Sequence, residues 1–227
     1  MQARKEATNT TVTEAPATEV AVIADIVGSR TLDDRAAAQR AIDAVIERVE
    51  RDAPLATRPL LPVVGDELQG SYPTLAAAML SLLLVRLALP DGVECRYGLG
   101  VGASGVVPSR AGDLTEGPAW WAAREAVETV HALQERTVPG ARTWIVAAEG
   151  EDEASLRLSN AYLLARDQLV SAMSERTRRL AYGRLLGQTQ KELARAEGIT
   201  QSAVSQALAA AGVGALVEGA RQLQEAL

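Results

Sequence analysis

Glu19-Val20-Ala21-Val22-Ile23-Ala24-Asp25-Ile26-Val27-Gly28-Ser29 is the stretch from which the fold can be read. Val20 to Ala24 run without polar interruption, as a buried strand does. The run ends on an aspartate and a turn. A helix over about Asp33 to Arg51 follows, with Ala38, Ile42, Val45, Ile46 and Val49 on one face. Leu60 to Val64 reads as a second strand, Gly65-Asp66-Glu67 as a tight hairpin turn and Leu68 to Tyr72 as the return strand. An apolar helix covers Pro73 to Leu89, and Cys95 to Val107 is a strand that turns glycine-rich. A helix bearing Trp120, Trp121, Ala123, Val127 and Val130 precedes the last strand, Arg142 to Ala147. The order β-α-β-β-α-β-α-β predicts an α+β domain over 19–150: a ferredoxin-like antiparallel sheet with helices on one face. The first strand then lies beside the hairpin, and Asp25 and Asp66 fall at one end of the sheet. Two neighbouring carboxylates either hold a cation, Mg²⁺ beside phosphates being usual, or merely cap a helix and a turn.

Bulk composition narrows the function classes. Of the 227 residues 48% are hydrophobic and 23% charged, ordinary for a globular protein. No apolar run reaches the roughly 18 residues of a membrane span, so no membrane partner is expected. Arg4 and Lys5 are followed by no apolar stretch, which excludes a secretory signal, and residues 1–18 read as a disordered leader. One cysteine and one histidine, Cys95 and His131, exclude an internal disulfide and a Cys/His zinc site and suit a cytoplasmic location.

A connecting helix over 151–170 leads to an all-α unit over 171–227. That unit holds seven basic and five acidic side chains, a net +2 within a chain of −6. A basic tail on an acidic body fits a tail that meets phosphate. Its first helix spans about Ser171 to Leu186 and breaks at Gly187. Thr189-Gln190-Lys191-Glu192 is a capping box that opens a second helix. Gly198 supplies a positive-φ turn, and Thr200 caps a third helix running to about Ala211. Ala194, Gly198 and Val204 stand at the spacing of DNA-binding helix-turn-helix units, where a small residue, a turn glycine and a branched residue let two helices cross closely. Gln201, Ser202, Ser205 and Gln206 are left on the front of the third helix, where glutamine and serine can read base edges. The expected partner is double-stranded DNA, with Arg178, Arg179 and Thr200 also in contact. An ordinary helical hairpin with a polar face is the alternative.

Asp25-Ile26-Val27-Gly28-Ser29, Gly65-Asp66-Glu67, Arg96-Tyr97-Gly98-Leu99-Gly100-Val101-Gly102 and Ala122-Ala123-Arg124 resemble, in order and spacing, motifs of class III nucleotide cyclases. The Gly-Asp-Glu turn is also similar to that of diguanylate cyclases. The whole layout resembles the SatD family, a cyclase-like domain followed by a helix-turn-helix. The resemblance implies metal binding by Asp25 and Asp66, and phosphate contacts from Ile26, Val27, Gly28, Ser29 and Arg124. Mg²⁺ with a nucleotide is the implied cofactor. The chain departs from the cyclases where their asparagine and base-reading lysine stand, at Trp120 and Pro62, and Asp113 and Thr115 are only near the place of the base-reading aspartate. Trp120 or Trp121 is then left to stack on a base or to pack across a dimer. The expectation is a DNA-binding transcriptional regulator, homodimeric, whose degenerate cyclase-like domain senses a nucleotide or mediates dimerisation and has no catalytic residues. The alternative is a divergent metal-dependent nucleotide cyclase or nucleotidyltransferase.

Overall fold

The computed structural model describes residues 18–107, 114–148 and 153–227. Of the leader read over residues 1–18, residues 1–17 lie outside them, as does the position of Asp113. Thr18 already belongs to the first strand, β1 (Thr18–Ile26), which sits at the centre of a five-stranded sheet. β1 pairs antiparallel with β3 (Glu67–Tyr72) on one side and with β4 (Cys95–Ala103) on the other. β2 (Arg58–Val64) lies outside β3 and the last strand, β7 (Thr143–Ala147), lies outside β4. Between β4 and β7 in sequence, β5 (Gly105–Val107) and β6 (Leu114–Glu116) form a separate two-stranded ribbon, so the strand read through Val107 ends at Ala103.

The sheet is mixed, which corrects the antiparallel expectation: β7 runs parallel to β4. The helices lie on both faces, not one. Val20, Val22, Ala24 and Ile26 share a cluster with α1 (Arg35–Asp52) and α2 (Leu75–Ala88). Ala21 and Ile23 instead meet α3 (Pro118–Arg136), through Ala119, Trp120, Ala123 and Val127. Burial on both faces explains why Val20 to Ala24 of β1 is an unbroken apolar run where a one-faced strand alternates.

The glycine-rich motif of β4 has a packing reason. Gly98, Gly100 and Gly102 alternate, so all three face α3. A Cβ on Gly98 or Gly100 would overlap the backbone of Ala119, Ala123 or Val127. Their absence lets the helix rest directly on the strand.

α2 is buried at every position from Ala76 to Leu87 because it is covered all round. The sheet and α1 take one side. The other is taken by α5 (Glu175–Leu185) and α8 (Val213–Gln224). One apolar core therefore continues from Val22 and Leu83 to Leu180, Leu193, Val204, Leu208 and Leu216. α4 (Glu153–Ser171) closes the sheet edge, where the Asn160 amide accepts from Ile145 N at 2.8 Å and donates to Ile145 O at 2.9 Å. The helix read over Ser171 to Leu186 is two pieces: α4 ends at Ser171, and Ser174 caps α5 by accepting from Thr177 N.

Three ionic side chains lie inside this core. Arg86 on α2 and Arg166 on α4 both address Asp167, with nitrogens 2.8 Å from the same carboxylate oxygen. Exposures of 5%, 1% and 0% leave water almost no access. Arg166 also donates to Thr143 Oγ1 at 2.6 Å and to Met79 O at 3.2 Å, and Arg86 to Ser171 Oγ at 2.7 Å. The second oxygen of Asp167 accepts from Arg142 N at 2.8 Å.

Candidate functional site

Asp25 and Asp66 do fall at the same end of the sheet. Asp25 is directly opposite Glu67 in the β1–β3 ladder, and Asp66 is the next residue, in the Gly65-Asp66 turn. Like charges opposite one another repel, and each strand carboxylate here has its own guanidinium. Arg96, opposite Asp25 on the β4 side, donates to both its oxygens at 2.8 and 2.9 Å and also reaches Gln134. Arg124 on α3 clasps Glu67 at 2.6 and 2.7 Å. Burial works to raise the Glu67 carboxyl, but Arg124 and Gln69 hold it below its ordinary value.

Asp66 belongs to a different neighbourhood. A hydrogen bond from Ser29 lowers its carboxyl against the opposing effect of burial, and the charges of Arg35 and Arg30 act the same way. Arg35 donates to Gly65 O at 3.1 Å. These two arginines, Ser29, Gln39 and Asp66 line a wide, open groove beside the turn.

A magnesium ion in such a fold would be held by one or two carboxylates plus phosphate oxygens. Asp25 has both oxygens engaged by Arg96, and Asp66 faces two arginines. Among the described residues no three His, Cys, Asp or Glu side chains cluster for a metal. As placed, Asp25 and Asp66 do not fit a divalent cation. The expected phosphate contacts fare unevenly. Val27 N donates to Glu94 O at 2.9 Å, and Ile26 lies in the ladder opposite Cys95. Gly28, at φ 66°, opens a single 3-10 turn, Ser29–Thr31. Arg124 is turned to Glu67. Trp120 is 7% exposed, with its ring against β1 and its Nε1 donating to Ser104 Oγ at 3.1 Å, so it is a core residue and offers no face to a base. Trp121 is 64% exposed.

The second candidate site is the pair α6 (Gln190–Glu197) and α7 (Gln201–Ala210). The capping box is formed: Thr189 Oγ1 accepts from Glu192 N, and the Glu192 carboxylate accepts from Thr189 N at 2.7 Å. Gly198 takes the left-handed conformation at φ 65°, and Ile199 N donates back to Ala194 O at 3.0 Å. Thr200 caps α7 by accepting from Ala203 N. Leu193, Ala194, Val204 and Leu208 are buried between the helices and α5, while Thr200, Gln201, Ser202, Ser205 and Gln206 are all exposed. Arg176, Lys191 and Arg195 are exposed on α5 and α6.

Two of the basic residues expected at DNA are committed elsewhere. Arg178 is mostly buried and ties α5 to the body, donating to Leu89 O at 3.0 Å, Asp91 Oδ1 at 2.9 Å and Met173 O at 3.3 Å. Arg179 clasps Glu197 with two 2.9 Å bonds and donates to Glu175 at 2.7 Å, although its side chain remains 41% exposed. Sequence reasoning gave no role to Arg96, to Glu67 beyond its turn, or to the Arg86–Arg166–Asp167 cluster. Arg86 did carry a signal, as the single charge within Leu75–Ala88.

Comparison with solved structures returns nucleotide cyclase domains, a likeness of fold alone. A bacterial light-regulated adenylyl cyclase is 16% identical over 56% of this chain and 43% of that one, with a TM-score of 0.41. The catalytic core of a rhodopsin-guanylyl cyclase with converted specificity, in complex with ATPalphaS, is 16% identical over 50% of this chain and 73% of that one, at 0.40. An adenylate cyclase from Trypanosoma brucei is 15% identical over 54% of this chain and 74% of that one, at 0.38. This chain therefore spans less than half the length of the light-regulated enzyme. No curated relative matches the sequence. The SatD family model matches residues 19–226, and the chain belongs to the SatD family. No helix among the described residues is long and apolar enough to cross a membrane singly.

Proposed function

We propose that this SatD-family protein is a cytoplasmic DNA-binding transcription regulator. Its sheet domain is read as a ferredoxin-like core, β2-β3-β1-β4, with β7 added, serving as a dimerisation platform. Helices α6 and α7 are read as a helix-turn-helix, with α7 entering the major groove. The observation that carries the reading is the polar front of α7. Gln201, Ser202, Ser205 and Gln206 are exposed on a helix whose other side is locked by Val204 and Leu208. Glutamine can bond adenine bidentately from such a position. A dimer suits half-sites one helical turn apart, and the body exposes the apolar side chains it needs, Leu61, Val63 and Val64 on β2 and Trp121 on α3. The Asp25–Arg96 and Glu67–Arg124 pairs weigh against the rival reading as a metal-dependent cyclase or nucleotidyltransferase, because they neutralise groups that such chemistry would need free.

Gel-shift titration of the full chain against genomic fragments at rising salt tests the proposal. Each phosphate contact releases counterions, so affinity should fall steeply between about 50 and 200 mM salt. Absence of any shifted species at the lowest salt would contradict it.

A further inference from the structure

The outer side of α7 carries chemistry of one kind. No residue from Gln201 to Ala210 is charged. Val204 and Leu208 are buried, while Gln201, Ser202, Ser205, Gln206, Ala209 and Ala210 are exposed. Successive residues stand about 100° apart, so these six share one half of the helix. Ser202, Ser205, Gln206 and Ala209 run along the middle of that half, and Gln201 and Ala210 along its edges. The middle is low: apart from Gln206, no side chain there is larger than a hydroxymethyl group. Such a helix can bring its backbone close to the floor of a groove.

The cations are elsewhere. Lys191 and Arg195 are exposed on α6, and Arg176 on α5. In helix-turn-helix units the helix before the reader crosses the phosphate backbone. Cations on that side suit phosphates, which position the protein but carry no sequence information. Arg179 is held by Glu197, and Arg221 on α8 by Glu218 and Glu225. Attraction to DNA and reading of DNA are thus divided between different helices.

Base chemistry then narrows the target. Guanine is read chiefly by Arg or Lys at O6 and N7, and cytosine by Glu or Asp at N4. None of these four residue types stands on α7. Glutamine pairs with adenine N6 and N7, alanine meets the thymine methyl, and serine bonds to either kind of edge. We infer that α7 reads an A·T-rich half-site through the major groove, adenine by Gln201 and Gln206 and a thymine methyl by Ala209. The inference rests on the function proposed above and adds which base pairs the regulator selects.

The test is selection by the full chain from a duplex library of random sequence, at about 50 mM salt, where phosphate contacts hold well. The expected sites are mostly A·T at the positions bound. Composition alone does not fix the groove, because A·T tracts also attract proteins through a narrow minor groove. Inosine·cytosine pairs separate the two. Inosine lacks the guanine N2 amino group, so such a pair resembles A·T in the minor groove and G·C in the major groove. Replacing a read A·T pair by inosine·cytosine is expected to weaken binding about tenfold. The penalty at one pair should vanish in Gln201→Ala or in Gln206→Ala. Uracil in place of thymine removes only the methyl and is expected to cost about fourfold, a cost absent in Ala209→Gly. That thymine-to-uracil ratio is read within one variant, so a weaker fold does not disguise it. Half-sites dominated by G·C, a retained pool with no sequence enriched, or binding indifferent to inosine·cytosine would overturn the inference and leave a DNA-binding protein standing. Failure to retain any duplex at this salt would remove the regulator reading as well.

Discussion

At the scale of single residues, Asp167 is the side chain on which most depends. Two buried arginines face one buried carboxylate, and the Arg142 amide takes its other oxygen. Breaking a buried ion pair on one side leaves charge with neither water nor partner, which destabilises by about 3–5 kcal/mol. Asp167→Asn is therefore expected to lose stability of that order, read as a fall in the urea midpoint at unchanged slope. A loss under about 1 kcal/mol would show that water reaches the cluster. Beyond the lone charge of Arg86 on an apolar helix, none of this was legible in the sequence. Arg166 and Asp167 look like any charged pair on a helix, and their burial comes only when α4 meets the inner side of α2. Trp120 and Trp121 show the same limit. They are adjacent on one helix, yet one is packed on β1 and the other is 64% exposed, because neighbouring helical positions point about 100° apart.

At the scale of elements, local signals were read well and partners less so. The capping box at Thr189, the left-handed Gly198 and the Thr200 cap are short-range chemistry, and all three form as the sequence indicates. The Gly65-Asp66 turn was legible for the same reason, and the place of β1 beside the hairpin followed from the order of elements. The direction of β7 was not, because a crossover through α3 depends on packing between elements far apart in sequence. α3 shows what β4 glycines are for. Gly100→Ala would set a methyl into the Ala119 and Ala123 backbone, whereas Gly105→Ala meets nothing closer than 3.8 Å. The first should destabilise at the upper end of overpacking, about 3 kcal/mol, and the second hardly at all, measured by thermal unfolding. Equal effects would mean that the alanine is accommodated by sliding α3.

At the scale of the whole molecule, the tail is part of the body's core. α2 is covered by the sheet and α1 on one side and by α5 and α8 on the other, and Tyr182 donates to Asp52 at 2.7 Å beneath Arg48. The units read from sequence as 19–150 and 171–227 therefore share one apolar cluster. A shared core unfolds together. Near- and far-ultraviolet circular dichroism should report one coincident urea transition; two separated transitions would show that the tail melts alone. A tail fixed in this way holds its α7 in one orientation, which is what a rigid reader of DNA requires. The most direct test of that claim is affinity for a selected genomic site and for random DNA, at fixed salt, with Gln201→Ala and Gln206→Ala beside the unaltered protein. The account predicts that at least one variant loses about 1–3 kcal/mol on the selected site and much less on random DNA. Unchanged affinity of both variants on the selected site would contradict it.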